Sequence, residues 1–157
     1  MALAVSNSLR VAYYNGLKSE PVHHGIEGAT QSFKKGAPLV YSSGKLVEAT
    51  DAADQAAMAG MAAHTASGTT DTAVKYVPFI PGVIFEVTLM TGSEADFTLV
   101  QTNIGLAYAI AKAASGAWFL DNADTTNPEF RVVGFKDPVG TVNGRVYCVP
   151  LAAETIW

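Results

Sequence analysis

Three histidines and one glutamate are the residues of this chain best suited to bind a metal ion: His23, His24, Glu27 and His64. A structural zinc site needs four well-spaced ligands, usually including thiolates. Adjacent residues of an extended chain point to opposite sides, so His23 and His24 do not chelate one ion together. We therefore interpret them as surface or interface histidines and predict no metal. Imidazole protonation in the physiological range gives the further hypothesis that this segment responds to pH.

A second group of oxygen-bearing side chains suggests calcium chemistry. It comprises Asp121, Asn122 and Asp124, with Asn127 shortly after them. The segment lacks the glycine and the closing glutamate of the helix-loop-helix calcium loop. Asp and Asn before the Asn127-Pro128 dipeptide are ordinary turn formers, so the sequence favours a turn.

Enzyme chemistry has little support in the sequence. Cys148 is the only cysteine and lies in the apolar run 145–149, where a lone thiol is typically a small buried hydrophobic group. The chain contains no Gly-x-Ser-x-Gly nucleophile motif and no glycine-rich phosphate loop. We predict a protein that is not an enzyme and has no cofactor, and a single cysteine excludes an intrachain disulfide.

The composition favours self-association. Hydrophobic residues make up 49% of the 157 residues and charged residues only 15%, below the roughly 25% usual for soluble domains. With a net charge of −4 and no basic run longer than Lys34-Lys35, the chain lacks the positive footprint of a nucleic-acid-binding protein. No window approaches the roughly 18 apolar residues that cross a bilayer, and the start does not resemble a secretory signal. We expect an oligomer that is made in the cytosol and binds neither nucleic acid nor membrane.

From Pro38 onward the chain alternates short apolar runs with turn residues. Leu39–Tyr41 and Leu46-Val47 flank Ser42–Lys45, which predicts a hairpin with Gly44 at a positive φ. Further strands are predicted at Val74–Ile80, Val83–Met90, Phe97–Val100, Ala107–Ile110, Trp118–Leu120, Phe130–Phe135 and Val146–Leu151. Many short strands about ten residues apart indicate an all-β fold, a compact antiparallel β-barrel or sandwich with at most one short helix.

The Ala- and Met-rich stretch 51–63 has a composition that favours a helix, yet Gly60 weakens that interpretation. We predict a short turn or helical piece at Asp51–Gln55, followed by a strand through Met58 and Met61.

Residues 1–35 have turn residues and irregularly spaced apolar residues, so we predict an extended N-terminal arm, with residues 36–157 as the body. We expect the arm to dock on a neighbouring subunit or a partner protein through its apolar side chains. These predicted interface residues are Leu9, Val11, Tyr13, Tyr14, Leu17 and Ile26. Trp118 is predicted to lie in the core, and Trp157 to pack on the body or on a neighbouring subunit.

Two stretches of the chain carry a family resemblance. The first is Phe33–Ala49 with Ala59–Ala63, and the second comprises Gly105–Ile110, Gly116–Asp121, Val132–Phe135, Asp137-Pro138 and Asn143–Val146. In residue pattern and order they resemble the head decoration, or cement, proteins of tailed bacteriophages. The resemblance covers roughly residues 33–151 and contains no catalytic motif. It implies a β-body with an N-terminal arm that forms homotrimers on the outer surface of the virion and binds the major capsid protein.

These expectations identify a virion structural protein that cements the capsid against internal pressure. The alternative is a receptor- or carbohydrate-binding module of a phage tail or head fibre, which would cluster exposed aromatic residues on loops. Trimer over dimer is implied by the resemblance alone.

Overall fold

The computed structural model of this chain describes residues 3, 8–14, 17 and 19–154. Within them the regular structure is mainly β-strand, which confirms the predicted all-β class. The elements are β1 Arg10–Tyr14, β2 His23–Ile26, β3 Pro38–Ser42, β4 Lys45–Glu48, β5 Met58–Ala62, β6 Ala73–Pro78, β7 Val83–Met90, β8 Ala107–Lys112, β9 Trp118–Asp121, β10 Phe130–Phe135, β11 Arg145–Pro150 and the four-residue α1 Leu151–Glu154. No helix in these ranges has the length and apolar character needed to cross a bilayer.

Five strands close into a barrel in the order β7-β11-β10-β8-β9, and β9 returns to β7. Closure is through a short parallel pairing in which Leu89 lies opposite Leu120, whereas the other pairs are antiparallel. The length of β7 makes this possible. β7 has eight residues. Its first four residues pair with β1 and its last two pair with β9.

The second sheet has the order β2-β6-β5-β3-β4. A parallel bridge between Glu27 and Leu46 links its first and last strands, and the Gly28 amide donates a 2.9 Å hydrogen bond to the Leu46 carbonyl. The β6–β7 connection joins this sheet to the end of the barrel at which β7 begins. The other end of the barrel, where β7 and β10 end and β8 and β11 begin, is therefore its free end.

One continuous hydrophobic core fills the space within and between the two sheets. Phe79 lies edge-on to Phe85 and Phe130, with ring centroids 5.2 and 5.3 Å apart. Trp118 is fully buried, which confirms its predicted place in the core. Its indole N–H donates to Glu48 of β4, so a core residue of the barrel is also tied to the second sheet.

The hairpin and most of the strands agree with the sequence prediction, and the 51–63 stretch does as well. Asp54 accepts a hydrogen bond from the Ala56 amide and begins a 3-10 turn at Gln55–Ala57, after which β5 follows directly. The predicted strand Phe97–Val100 is wrong. The side-chain amides of Asn143 and Asn103 accept hydrogen bonds from the Phe97 and Val100 amides, so this segment is a capped loop with only a bridge at Thr98.

The prediction of an arm separate from the body is also wrong for the described part of residues 1–35. β1 pairs with β7 of the same chain and β2 pairs with β6, so each sheet takes a strand from this segment. Phe33, near its end, is fully buried in the core. The physical reason is that each of the two strands forms its main-chain hydrogen bonds with a strand of its own chain, so the segment is fixed to the body on that side.

Candidate interaction surfaces

The histidines do not converge on a metal. His23 and His24 are exposed on β2, while both ring nitrogens of His64 bond to backbone groups, one in its own loop and one in β6. Its Nδ1–H donates to the Thr65 carbonyl at 2.9 Å, and its Nε2 accepts from the Lys75 amide at 2.9 Å. Glu27 is buried and accepts hydrogen bonds from the Ser67 amide and hydroxyl. No three His, Cys, Asp or Glu side chains of the described residues lie where they could hold one ion.

The Asp121–Asn127 segment is a turn, as predicted. Asp121 Oδ1 accepts from the Ala123 amide at 2.8 Å and from the Gly92 amide at 2.7 Å. Asp124 Oδ1 accepts from the Thr126 amide at 2.8 Å. Asn127 has a φ of 47°, a left-handed conformation that Asn tolerates well. These carboxylates therefore serve the backbone of the turn.

Cys148 is fully buried in β11, in agreement with its interpretation as a small core residue. Burial raises the pKa of its thiol far above the ordinary value. Because the thiolate is the reactive form of cysteine, this side chain is unsuited to act as a nucleophile.

The predicted interface residues separate into buried and exposed groups. Leu9 is only 2% exposed and belongs to the core, so its assignment as an interface residue is wrong. Val11 and Leu17 are half-buried and pack on the same core. Tyr13, Tyr14 and Ile26 are 52%, 43% and 40% exposed and remain available for contact, and Trp157 lies outside the described residues.

A cluster of charges holds β1 against the barrel. The carboxylate of Glu86, buried on β7, lies 3.2 Å from the Arg145 guanidinium, 3.0 Å from Lys136 Nζ and 3.9 Å from Arg10. Arg145 also donates to the Ser8 carbonyl at 3.3 Å, directly before β1. Several cationic partners offset the desolvation cost of burying the Glu86 carboxylate. Through these contacts Glu86 connects β7 to β1 and β11.

A groove of about 760 Å³ runs beside β1, and we call it the β1 groove. One wall is formed by consecutive residues from Ser8 to Ala12 together with Tyr14. The opposite wall is the turn Lys34–Gly36, and Met61 and Thr65 complete the lining from the second sheet. At one end the carbonyl oxygen of Leu9 lies so near Gly36 that a Cβ there would be 2.8 Å from it. The groove therefore lies at the junction of the two sheets.

Exposed aliphatic side chains gather at the free end of the barrel, and we call this group the barrel-end patch. Its members are Val100, Ile104, Leu106, Val139 and Val142. Hydrogen bonds of 2.9 and 3.0 Å join the Leu99 backbone to Gly140 and Thr141, which brings the two contributing loops together.

Sequence reasoning missed the barrel-end patch because it predicted a strand at Phe97–Val100 and assigned no surface role to the residues between Phe135 and Val146. The available signal was the presence of valines on both sides of Gly140 in a turn that has no apolar strand pattern to bury them.

Comparison of the chain with protein-family models and with curated proteins finds no match.

Proposed function

We propose that this protein decorates and cements the outer surface of a tailed-phage capsid by binding the major capsid protein. The proposal rests on the motif resemblance and on one structural observation, which is that two sets of exposed apolar side chains lie at opposite ends of the barrel. A protein that bridges capsomers needs contacts in at least two directions, and a single binding face would not provide them.

The first set is the barrel-end patch. The largest apolar patch on a soluble monomer is often functional, and a set of aliphatic side chains without aromatic residues suits protein contact better than sugar binding. We assign this patch to contact between copies of the chain, as a homotrimer.

The second set is Tyr13 and Tyr14 on β1, and Ile26, on β2 of the other sheet, is exposed as well. Tyr14 lies opposite Val83 at the start of β7, whereas the loop behind the barrel-end patch joins β7 near Leu89, whose amide donates to the Gly144 carbonyl. Six residues of strand separate the two points by about 20 Å. We assign this second set to the capsid protein.

The rigidity of the body supports a cementing role. The barrel is closed, and a bridge between Glu27 and Leu46 joins the outer strands of the second sheet. Glu48 also connects this sheet to Lys112 and Trp118 of the barrel. Three copies joined through their barrel ends would present three capsid-binding faces, so that weak single contacts add to a strong attachment.

The test is co-sedimentation of the purified protein with expanded empty shells of its own phage. We expect saturable, stoichiometric binding and a solution mass of three copies by light scattering. Val142→Glu should reduce that mass and weaken shell binding, because it places a charge in the barrel-end patch. Val22→Glu is the matched control for the solution mass, since Val22 is exposed to a similar extent, 44% against 53%, and lies outside the patch.

An absence of shell binding, with binding to cell-surface glycans instead, would replace this proposal by a receptor- or carbohydrate-binding module. A trimer unaffected by Val142→Glu would contradict the assignment of the barrel-end patch.

A further inference from the structure

The β1 groove follows the edge of a strand. A groove on the face of a strand is lined by alternate residues, because successive side chains point to opposite faces. Here Ser8, Leu9, Arg10, Val11 and Ala12 are consecutive and all contribute to the lining. The groove therefore lies along the backbone edge of β1.

That edge has no strand partner within the described ranges. β1 is the terminal strand of its sheet and pairs only with β7. In an antiparallel pair, part of each strand's backbone N–H and C=O groups points away from the partner. An extended segment placed in the groove can accept and donate main-chain hydrogen bonds along this edge, as in strand addition.

The charge beside the groove is predominantly positive. Lys34 and Lys35 line it, and neither ammonium group has a carboxylate at ion-pair distance among the residues the structure describes. Arg10 also contributes, although it already interacts with Glu86. Glu20 is the acidic lining residue. A partner segment with carboxylates would therefore complement the groove.

The floor of the groove is apolar and shallow. Leu9 and Met61 are buried beneath it. Gly36 has a φ of 88° and no Cβ, which lets the turn lie close to the Leu9 backbone. A volume of about 760 Å³ is within the range of specific binding sites. β1 has five residues, so a partner segment of similar length matches it.

We propose that the β1 groove binds an extended, carboxylate-bearing peptide segment that adds to β1 as a further strand. Resting on the function proposed above, we assign this segment to the major capsid protein. Lys34 and Lys35 contact its carboxylates, and its backbone bonds to the outer edge of β1.

The first test does not require capsids. A fluorescein-labelled peptide with the sequence Glu-Val-Glu-Val-Glu is titrated with the full chain, and binding is followed by fluorescence anisotropy. We expect saturable binding that weakens with salt, and at least tenfold weaker binding of a Lys-Val-Lys-Val-Lys peptide. An acidic peptide methylated on alternate backbone nitrogens should also bind at least tenfold more weakly, because it loses its main-chain donors. Equal binding of all three peptides, or no saturation, overturns the proposal.

Matched variants locate the site. Thr65→Trp fills the groove from an exposed position, and Thr125→Trp is the same change on a distant exposed turn. Lys35→Glu reverses a charge beside the groove, and Lys75→Glu does so on the exposed side of β6. We expect at least a tenfold loss of acidic-peptide affinity for the groove variants and less than a twofold change for the controls. Equal effects of groove and control variants overturn the proposal.

Shell binding separates this inference from the proposed function. If shells bind the protein and Thr65→Trp does not weaken that binding, the groove assignment fails while the cementing function stands. If shells do not bind but the acidic peptide does, in a manner sensitive to Thr65→Trp, the groove is a peptide site and the cementing function fails. If Thr65→Trp lowers the oligomeric mass instead, the groove holds a second copy of this chain and the proposal is overturned.

Discussion

Glu129 Oε2 accepts a 2.8 Å hydrogen bond from the backbone amide of Ile110, inside the wall of the barrel. Its other oxygen, Oε1, is buried and makes no hydrogen bond to the described residues. Burial is the main reason that the pKa of this carboxyl rises from 4.5 to about 8, and the charges of Asp124 and Asp51 raise it further against the opposing effect of the Ile110 amide. The native state therefore holds a proton that the unfolded state releases at neutral pH.

This carboxyl gives stability an unusual dependence on pH. Because the folded pKa lies above the unfolded one, its contribution is fully present below about pH 4.5 and is lost as the pH rises through about 8. We expect Glu129→Gln to remove this dependence and to be more stable than the parent at pH 9, by a few kcal/mol. Urea unfolding between pH 4 and 9 measures it, with Glu20→Gln, at an exposed position, as the control. Parallel pH profiles for the parent and Glu129→Gln would contradict the prediction.

Glu48 connects the second sheet to the barrel through both carboxylate oxygens. Oε1 accepts from the Trp118 indole at 3.1 Å, and Oε2 lies 2.8 Å from Lys112 Nζ. Glu48→Gln keeps an acceptor for Trp118 and loses the ion pair, whereas Glu48→Ala loses both. We expect a cost of less than about 1 kcal/mol for the first change and about 2 kcal/mol for the second. Chemical unfolding followed by Trp118 fluorescence measures this difference, and equal costs would show that the ion pair alone contributes.

Much of this fold follows from local sequence. The 38–48 hairpin and β7 are predictable because their apolar residues are close in the chain and glycines suited to positive φ, Gly44 and Gly82, precede β4 and β7. The two strands of the hairpin are also adjacent in sequence. For these elements the local preference and the tertiary structure agree.

The segment 1–35 was misread because its partners are distant. Arg10 pairs with Glu86, far along the chain, and a bulge between Val11 and Tyr13 breaks the alternation that would have revealed a strand. β2 consists of two histidines, Gly25 and Ile26, and the missing Cβ of Gly25 leaves room for Leu46, whose Cδ1 would lie 2.5 Å from it. Neither fact can be read from the local sequence.

The candidate surfaces were predictable only in part. Tyr13, Tyr14 and Ile26 were identified from their apolar character, and they are exposed. The β1 groove was not predicted. It forms where β1, the Lys34–Gly36 turn and Met61 come together in the fold, and the periodicity of the sequence does not indicate that contact. Lys34-Lys35 was noted only as the longest basic run.

Leu9 and Tyr14 provide a direct test of which residues of this segment are core and which are interface. We expect Leu9→Ala to cost about 3 kcal/mol of folding free energy, because it leaves a cavity in the core. Tyr14→Ala should cost less than about 1 kcal/mol and should act instead on binding. Thermal unfolding combined with shell co-sedimentation measures both effects. A stable Leu9→Ala variant that loses only shell binding would restore Leu9 as an interface residue.

Gly60 allows β5 to pack closely on β6. A Cβ at this position would lie 2.3 Å from the Val77 carbonyl oxygen, 2.7 Å from Tyr76 Cδ2 and 2.9 Å from Pro78 Cα. Two of these neighbours are backbone atoms of the paired strand and cannot move without separating β5 from β6. We therefore expect Gly60→Ala to cost about 3 kcal/mol.

Gly134→Ala is the matched control in β10, because its nearest neighbour would be 3.5 Å away in the Tyr147 ring, and its effect should be below about 1 kcal/mol. Equilibrium unfolding in urea compares the two variants, and similar midpoints would show that the β5–β6 contact is looser than these distances indicate.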